Sequence, residues 1–211
     1  MKAKQYAVFG LFTVLLGLMV VTEVIAGELL LPQQIIKTVS TQLQEKLKDK
    51  SFTQDFARVN QFVKSVINPH TDFDKIAPLV LGKHWKTATS VEQDRFTHEF
   101  QTLLIRTYSR AFVEYNDWTI RYLPLEIPDG ATKVIVKTEV LQPSQNPVNV
   151  NYRMYLIKGE WKVYDIMIDG VSLVTNYRST FDKDIQRKGS LSAVIDALTK
   201  RNAEMLAAKK S

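Results

Sequence analysis

The chain predicts an α+β fold, a curved four-stranded antiparallel sheet with helices packed on one face. Three observations carry that expectation. Residues 118–168 contain four runs rich in β-branched and aromatic residues, parted by the turn formers Asp129-Gly130, Pro143-Ser-Gln-Asn-Pro147 and Lys158-Gly159. Before them, apolar residues recur every three or four positions, which is the helical period. After Gly170 that period returns, with Ser172 placed to cap a helix carrying Val174, Tyr177, Phe181 and Ile185. A length of 211 residues, 45% of them hydrophobic and with no shift of composition, is enough for one domain with a sizeable core.

At the N-terminus, Lys2 and Lys4 precede an apolar run from Ala7 to Val21, and Val24-Ile-Ala26 offers small residues where a signal peptidase reads. Residues 1–26 therefore read as a Sec signal peptide and 27–211 as the mature domain. An uncleaved anchor would need about 20 apolar residues in a row, and Glu23 interrupts this one. Pro32 suits the first turn of a helix bearing Ile35, Ile36, Val39, Leu43 and Leu47. A second helix carries Phe56, Val59, Phe62, Val63, Val66 and Ile67 and stops before Asn68-Pro69. Thr71 or Asp72 caps a third, which ends at Gly82. Ser90-Val-Glu-Gln93 is a capping box opening the longest helix, with Phe96, Phe100, Leu103, Leu104, Thr107 and Ala111 on one face. Ile105, Tyr108, Phe112 and Tyr115 widen its apolar arc, so it is buried on more than one side.

The strands are expected at 118–123, 133–141, 148–157 and 161–168. In the third, Val148, Val150, Tyr152, Met154 and Leu156 alternate with polar Asn149, Asn151 and Arg153, and in the second Val134, Val136 and Val140 share a face. A two-residue loop at Lys158-Gly159 would set Asp165 opposite Tyr152 on the apolar face; a three-residue loop sets Ile166 there. The longer loop is preferred. It pairs Met154 with Tyr164 and Val150 with Ile168 inside, and Arg153 with Asp165 outside. A last helix opens at Ser190 with Leu191, Val194, Ile195, Leu198, Met205 and Leu206.

Composition excludes much. With no cysteine there are no disulfides, thiolate metal sites or cysteine nucleophiles. The net charge of +6 fits anionic lipid, nucleic acid or an acidic protein, but the lysines are scattered and no nucleic-acid motif accompanies them. His70, His84 and His98 lie far apart and form no metal motif. No nucleophile elbow or phosphate loop is present. Asp165 and Asp169 would stand about 13 Å apart along a strand, too far for a glycosidase pair at no more than about 9.5 Å. No catalytic constellation emerges, and the chain is not expected to be an enzyme.

The run from Tyr164 to Phe181, YDIMIDGVSLVTNYRSTF, resembles the signature of the periplasmic phospholipid-binding proteins of the Mla (maintenance of lipid asymmetry) pathway, the toluene-tolerance family. Residues 79–112, LVLGKHWKTATSVEQDRFTHEFQTLLIRTYSRAF, are similar to a second pattern of that family. The resemblance implies a cone like that of nuclear transport factors, with an added helical layer and an apolar cavity between sheet and helices. On that reading Phe100, Leu104, Tyr108 and Phe112 of the long helix line the cavity. So do Val134, Val136, Val150, Tyr152 and Met154, then Tyr164, Ile166, Ile168 and Tyr177. Arg178 is either a structural ion-pair partner or a contact for a headgroup phosphate at the mouth.

The resemblance further implies a soluble monomeric periplasmic carrier. Its cargo would be phospholipid, and it holds no cofactor. It would pass lipid between an outer-membrane lipoprotein and porin complex and an inner-membrane ABC transporter with an MCE-type substrate-binding ring, maintaining lipid asymmetry. Two alternatives remain: a cone-fold isomerase or dehydratase, which needs an acid or base inside the cavity, and a periplasmic adaptor with no cavity.

Overall fold

A computed structural model describes residues 28–114 and 117–207. The signal peptide expected over 1–26, the start at Gly27 and Tyr115 lie outside the described residues. Pro32 sits in the first turn of α1 (Leu31–Leu47). Two aspartates then start helices by accepting hydrogen bonds from backbone N–H groups one turn on: Asp49 caps α2 (Lys50–Thr53) and Asp55 caps α3 (Phe56–Ile67). Asp72 does the same for α4 (Phe73–Leu81), which ends at Gly82 in a positive-φ conformation (φ 55°). The longest helix is α5 (Ser90–Glu114). Its capping box is Thr89 with Glu92, one residue earlier than expected: Thr89 donates from both N–H and Oγ to the Glu92 carboxylate, and Glu92 N–H donates back to Thr89 Oγ. A charged acceptor makes the stronger bond. Gln93 instead donates to the Trp85 carbonyl at 2.9 Å.

The sheet is β1 (Thr119–Tyr122), β2 (Lys133–Leu141), β3 (Val148–Ile157), β4 (Glu160–Ile168) and β5 (Val171–Ser172), antiparallel throughout and in sequential order. The α+β class agrees with expectation; the strand count does not. Asp169 (φ 46°) and Gly170 (φ 83°) form a tight turn that folds Val171–Ser172 back onto Met167–Ile168 as a fifth strand. Ser172 then caps α6 (Leu173–Lys188), accepting from Thr175 N–H at 3.1 Å, and α7 (Leu191–Ala207) completes the described chain.

The β3–β4 register departs from expectation in its loop and in its first half. Lys158 (φ 51°) and Gly159 (φ 82°) form a two-residue turn, with both residues left-handed and Ile157 facing Glu160. A bulge then inserts Tyr164: Met154 pairs with Val163, whereas Arg153 pairs with Asp165, Tyr152 with Ile166 and Val150 with Ile168. Hence Met154 does not pair with Tyr164, but beyond the bulge the expected pairs return. One extra residue in the strand does what a longer loop would have done.

Three buried clusters organise the packing. Ile36 of α1 closes over Val134, Val136, Met154, Trp161 and Val163 of the sheet. Leu43, Leu47, Phe52, Val59, Val63, Val66 and Ile105 join α1, α2, α3 and α5. Phe96 and Phe100 of α5 meet Phe181 of α6, α4 and α7 in the third, with ring centroids 5.0 and 5.8 Å from Phe181.

Candidate functional site

Between the sheet and the helices lies a cavity of about 320 Å³. Its floor is the apolar face of one half of the sheet: Ile120 of β1, Val140 of β2, Val150 and Tyr152 of β3, and Ile166 and Ile168 of β4. Alternation along each strand puts these side chains on one face, and the bulge at Tyr164 brings Ile166 and Ile168 into register with it. The roof is α5, whose Phe100, Leu104, Tyr108 and Ala111 fall three or four residues apart on one stripe. Val39 and Leu43 of α1 and Ile67, Phe73 and Ile76 from α3 and α4 form one side wall; Leu173 and Val174 of α6 close the other. Phe112 and Trp118, with ring centroids 6.3 Å apart, stand together where α5 gives way to β1.

Eight of the residues expected in the wall are there: Phe100, Leu104, Tyr108, Phe112, Val150, Tyr152, Ile166 and Ile168. Five are elsewhere. Val134, Val136 and Met154 lie on the same sheet face but in its filled half, with Val136 and Met154 0% exposed. Tyr164, the bulge residue, packs edge-on against Tyr155 at 5.7 Å, and the Lys75 ammonium lies 5.8 Å from its ring. Tyr177 turns into the α4–α6 cluster against Phe100, with centroids 5.1 Å apart. Arg178 donates from Nε to the Leu79 carbonyl at 2.6 Å and lies along Gly82, fastening α6 to α4 rather than lining the cavity.

Few polar groups reach the wall: Ser40, His70, Thr71, Gln142, Asp165 and the Tyr108 and Tyr152 hydroxyls. Burial pushes the Tyr108 hydroxyl up to about 12, with Tyr177 adding to it, and raises that of Tyr152. His70 is held below its ordinary value by burial first and by the Lys162 charge second. Asp165 was expected outside. It is 4% exposed and borders the cavity, because α6 folds its N-terminus over the sheet edge. Its oxygens accept from Val174 N–H at 3.1 Å, Ser172 Oγ at 2.7 Å and Arg153 Nη1 at 3.4 Å. It is thus a buried cap on the positive end of α6 and offers no free acid or base. Asp169 accepts from Asn149 N–H at 2.9 Å just past the end of β4. Among the described residues, no group of three or more His, Cys, Asp or Glu is placed to hold a metal ion.

Sequence reasoning passed over the side walls. The apolar stripe of α1 is legible, but periodicity does not tell a cavity wall from a packed face, and Ile120, Trp118 and Leu173 sit too close to element ends for it to assign a face at all.

Fold and cavity define a class, an α+β protein with a hollow, apolar interior between sheet and helices. The family follows from comparison. A family model described as "MlaC protein" matches residues 37–200, and the chain belongs to that family. It is 28% identical over 170 residues to the toluene tolerance protein ttg2D of Pseudomonas putida, covering 78% of each chain. It is 22% identical over 168 residues to the intermembrane phospholipid transport system binding protein MlaC of Haemophilus influenzae, covering 74% of this chain and 78% of that one. A solved structure of the phospholipid-binding protein from Ralstonia solanacearum, in complex with a phospholipid, superposes with a TM-score of 0.74 at 30% identity, covering 82% of this chain and 97% of that one.

Proposed function

We propose that the protein is a periplasmic phospholipid carrier that holds acyl chains in the cavity and hands lipid between membrane-bound partners. The observation that carries the reading is the cavity itself. At about 24 cal/mol per Å³, an empty cavity of about 320 Å³ would cost about 8 kcal/mol, comparable to the whole stability of a domain. The space is partly open, so water can enter it, but the wall has few polar groups to hold that water and its apolar lining then stays hydrated. Acyl chains do offset it, at about 0.8 kcal/mol for each methylene removed from water. Phe100, Leu104, Tyr108, Phe112, Val150, Tyr152, Ile166 and Ile168 are the residues that would touch them.

The relatives named for phospholipid binding and transport support this reading over the enzyme, as does Asp165, whose oxygens are already occupied. The same arithmetic constrains the mechanism. Two long chains would gain more than any observed non-covalent affinity, so part of that gain is offset by opening the protein, and release into water is very slow. Transfer therefore requires docking, with an outer-membrane lipoprotein and porin complex on one side and an inner-membrane ABC transporter with its MCE-type ring on the other. Residues 1–26 direct export and are removed after Ala26. Native mass spectrometry of periplasmic protein purified without detergent tests the reading. The expected species starts at Gly27 and carries the added mass of phospholipid; a bare protein would overturn it.

A further inference from the structure

Arg106 lies on α5 and is 7% exposed, yet its Nε finds no hydrogen-bond partner among the described residues. None of the ion pairs among those residues includes Arg106, Arg110 or Arg201. A buried, charged donor left without an acceptor is destabilising. Here the neighbours worsen it: besides burial, the charges of Arg201 on α7 and Arg110 one turn along α5 both hold its pKa below the ordinary arginine value. Ser109, on the neighbouring turn, is fully buried with its Oγ also unpartnered. This location is not the cavity. Arg106 follows Leu104 by two residues, about 200° of helix rotation, so it faces away from the cavity stripe and toward α7, which packs along α5.

We propose that Arg106, with Arg110 and Arg201 around it, forms an anion site between α5 and α7 that takes a phosphate group. The planar fork of a guanidinium matches two phosphate oxygens, and two exposed arginines add positive charge nearby: Arg201 on α7, and Arg110, whose guanidinium lies 5.7 Å from the Phe56 ring of α3. The phosphate could come from two sources. Tyr177 packs on Phe100 of the cavity wall, with ring centroids 5.1 Å apart, and lies within electrostatic range of both Arg106 and Tyr108, so the headgroup of a bound phospholipid could reach the site past it. Free inorganic phosphate could also enter from solvent.

The test is thermal unfolding of the mature protein in phosphate against chloride at equal ionic strength, both as purified and after delipidation. Phosphate at ten times its Kd should raise Tm by about 3–6 °C. Arg106→Met removes the buried charge at similar length and should abolish the rise without loss of basal Tm. Should that variant not fold, the double variant Arg110→Gln/Arg201→Gln, changed only at exposed positions, should at least halve the rise. A response that appears only after delipidation identifies the lipid headgroup as the occupant; one present in both preparations identifies free phosphate. No phosphate-specific rise in either preparation overturns the site, as does a rise that Arg106→Met retains or that the double variant leaves undiminished. The lipid content of the purified protein bears on the carrier reading alone, so the two can fail separately.

Discussion

The two halves of the sheet's inner face carry the same residue types in the same alternation, yet one half is solid and the other hollow. At the β3–β4 hairpin end, Val134, Val136, Met154 and Trp161 pack beneath Ile36, and Val136 and Met154 are wholly buried; Ile36 and Val163 form the seam, since both belong to this cluster and also border the cavity. At the opposite end, Val140, Val150, Ile166 and Ile168 face the open space beneath Leu104 and Tyr108. What differs lies across from the strands. A large indole from β4 and the first turns of α1 fill one half, while α5, wedged on its other sides by the α3 and α7 packing, stands off from the other half. Hydrophobicity therefore specifies which face turns inward, and only the helices decide whether that face meets side chains or cargo.

Charge insertion should separate the halves most strongly. Met154→Glu places a carboxylate in a filled cluster, where an unpaired buried charge costs several kcal/mol, and should yield little folded protein. Ile168→Glu points its carboxylate into the cavity, where water can reach it once lipid has left. That variant should fold, remain soluble and lose its phospholipid. Circular dichroism and lipid extraction read both, and equal outcomes would erase the distinction.

Truncation is the gentler version. Met154→Ala should destabilise by about 2–5 kcal/mol, the range for emptying a packed site. Ile168→Ala, which enlarges an existing space, should cost about 1 kcal/mol in delipidated protein. Urea melts of the two variants check the ordering.

The smallest effect expected is in pH. His70, at the cavity edge, has its folded-state pKa lowered from 6.5, mainly by burial. The unfolded chain therefore takes up the proton first, and this share of stability is present above about pH 6.5 and lost as pH falls through the folded-state value. Replacing it by glutamine should flatten that part of a Tm-against-pH profile between pH 7.5 and 5, and an unchanged slope would remove His70 from the account.

How much of this could be read in advance follows the same division. Every helix but the four-residue α2, together with the alternating strands and the Ser172 and Asp72 caps, is legible because period and cap chemistry are local. The fifth strand is not, since two residues show no alternation. The bulge was invisible for a different reason. No glycine marks Tyr164, and without a bulge a two-residue turn at Lys158-Gly159 sets Asp165 on the apolar face, which favours the longer loop. The sequence therefore sets Tyr164 inward opposite Met154, whereas the bulge pairs Met154 with Val163. Alternation along β4 predicts Asp165 as an outward ion-pair partner. Its pairing with Arg153 is present, but its burial comes from α6 folding over it, a tertiary event without a local signature. The division into solid and hollow halves is the extreme case, because the same valines and isoleucines serve for both.

The most direct measurement of that division is photolabelling with a phospholipid that carries a diazirine in its acyl chain, followed by trypsin and peptide mass mapping. Cleavage after Lys137, Arg153, Lys158, Lys162 and Arg178 separates the two halves of the sheet. Peptides 138–153 and 163–178 carry Val140, Val150, Tyr152, Ile166, Ile168 and Leu173 of the wall, and peptide 154–158 carries Met154. The first two should take label and the third should not. Label concentrated on 154–158, or confined to exposed peptides, would contradict a cavity that holds acyl chains over one half of the sheet alone.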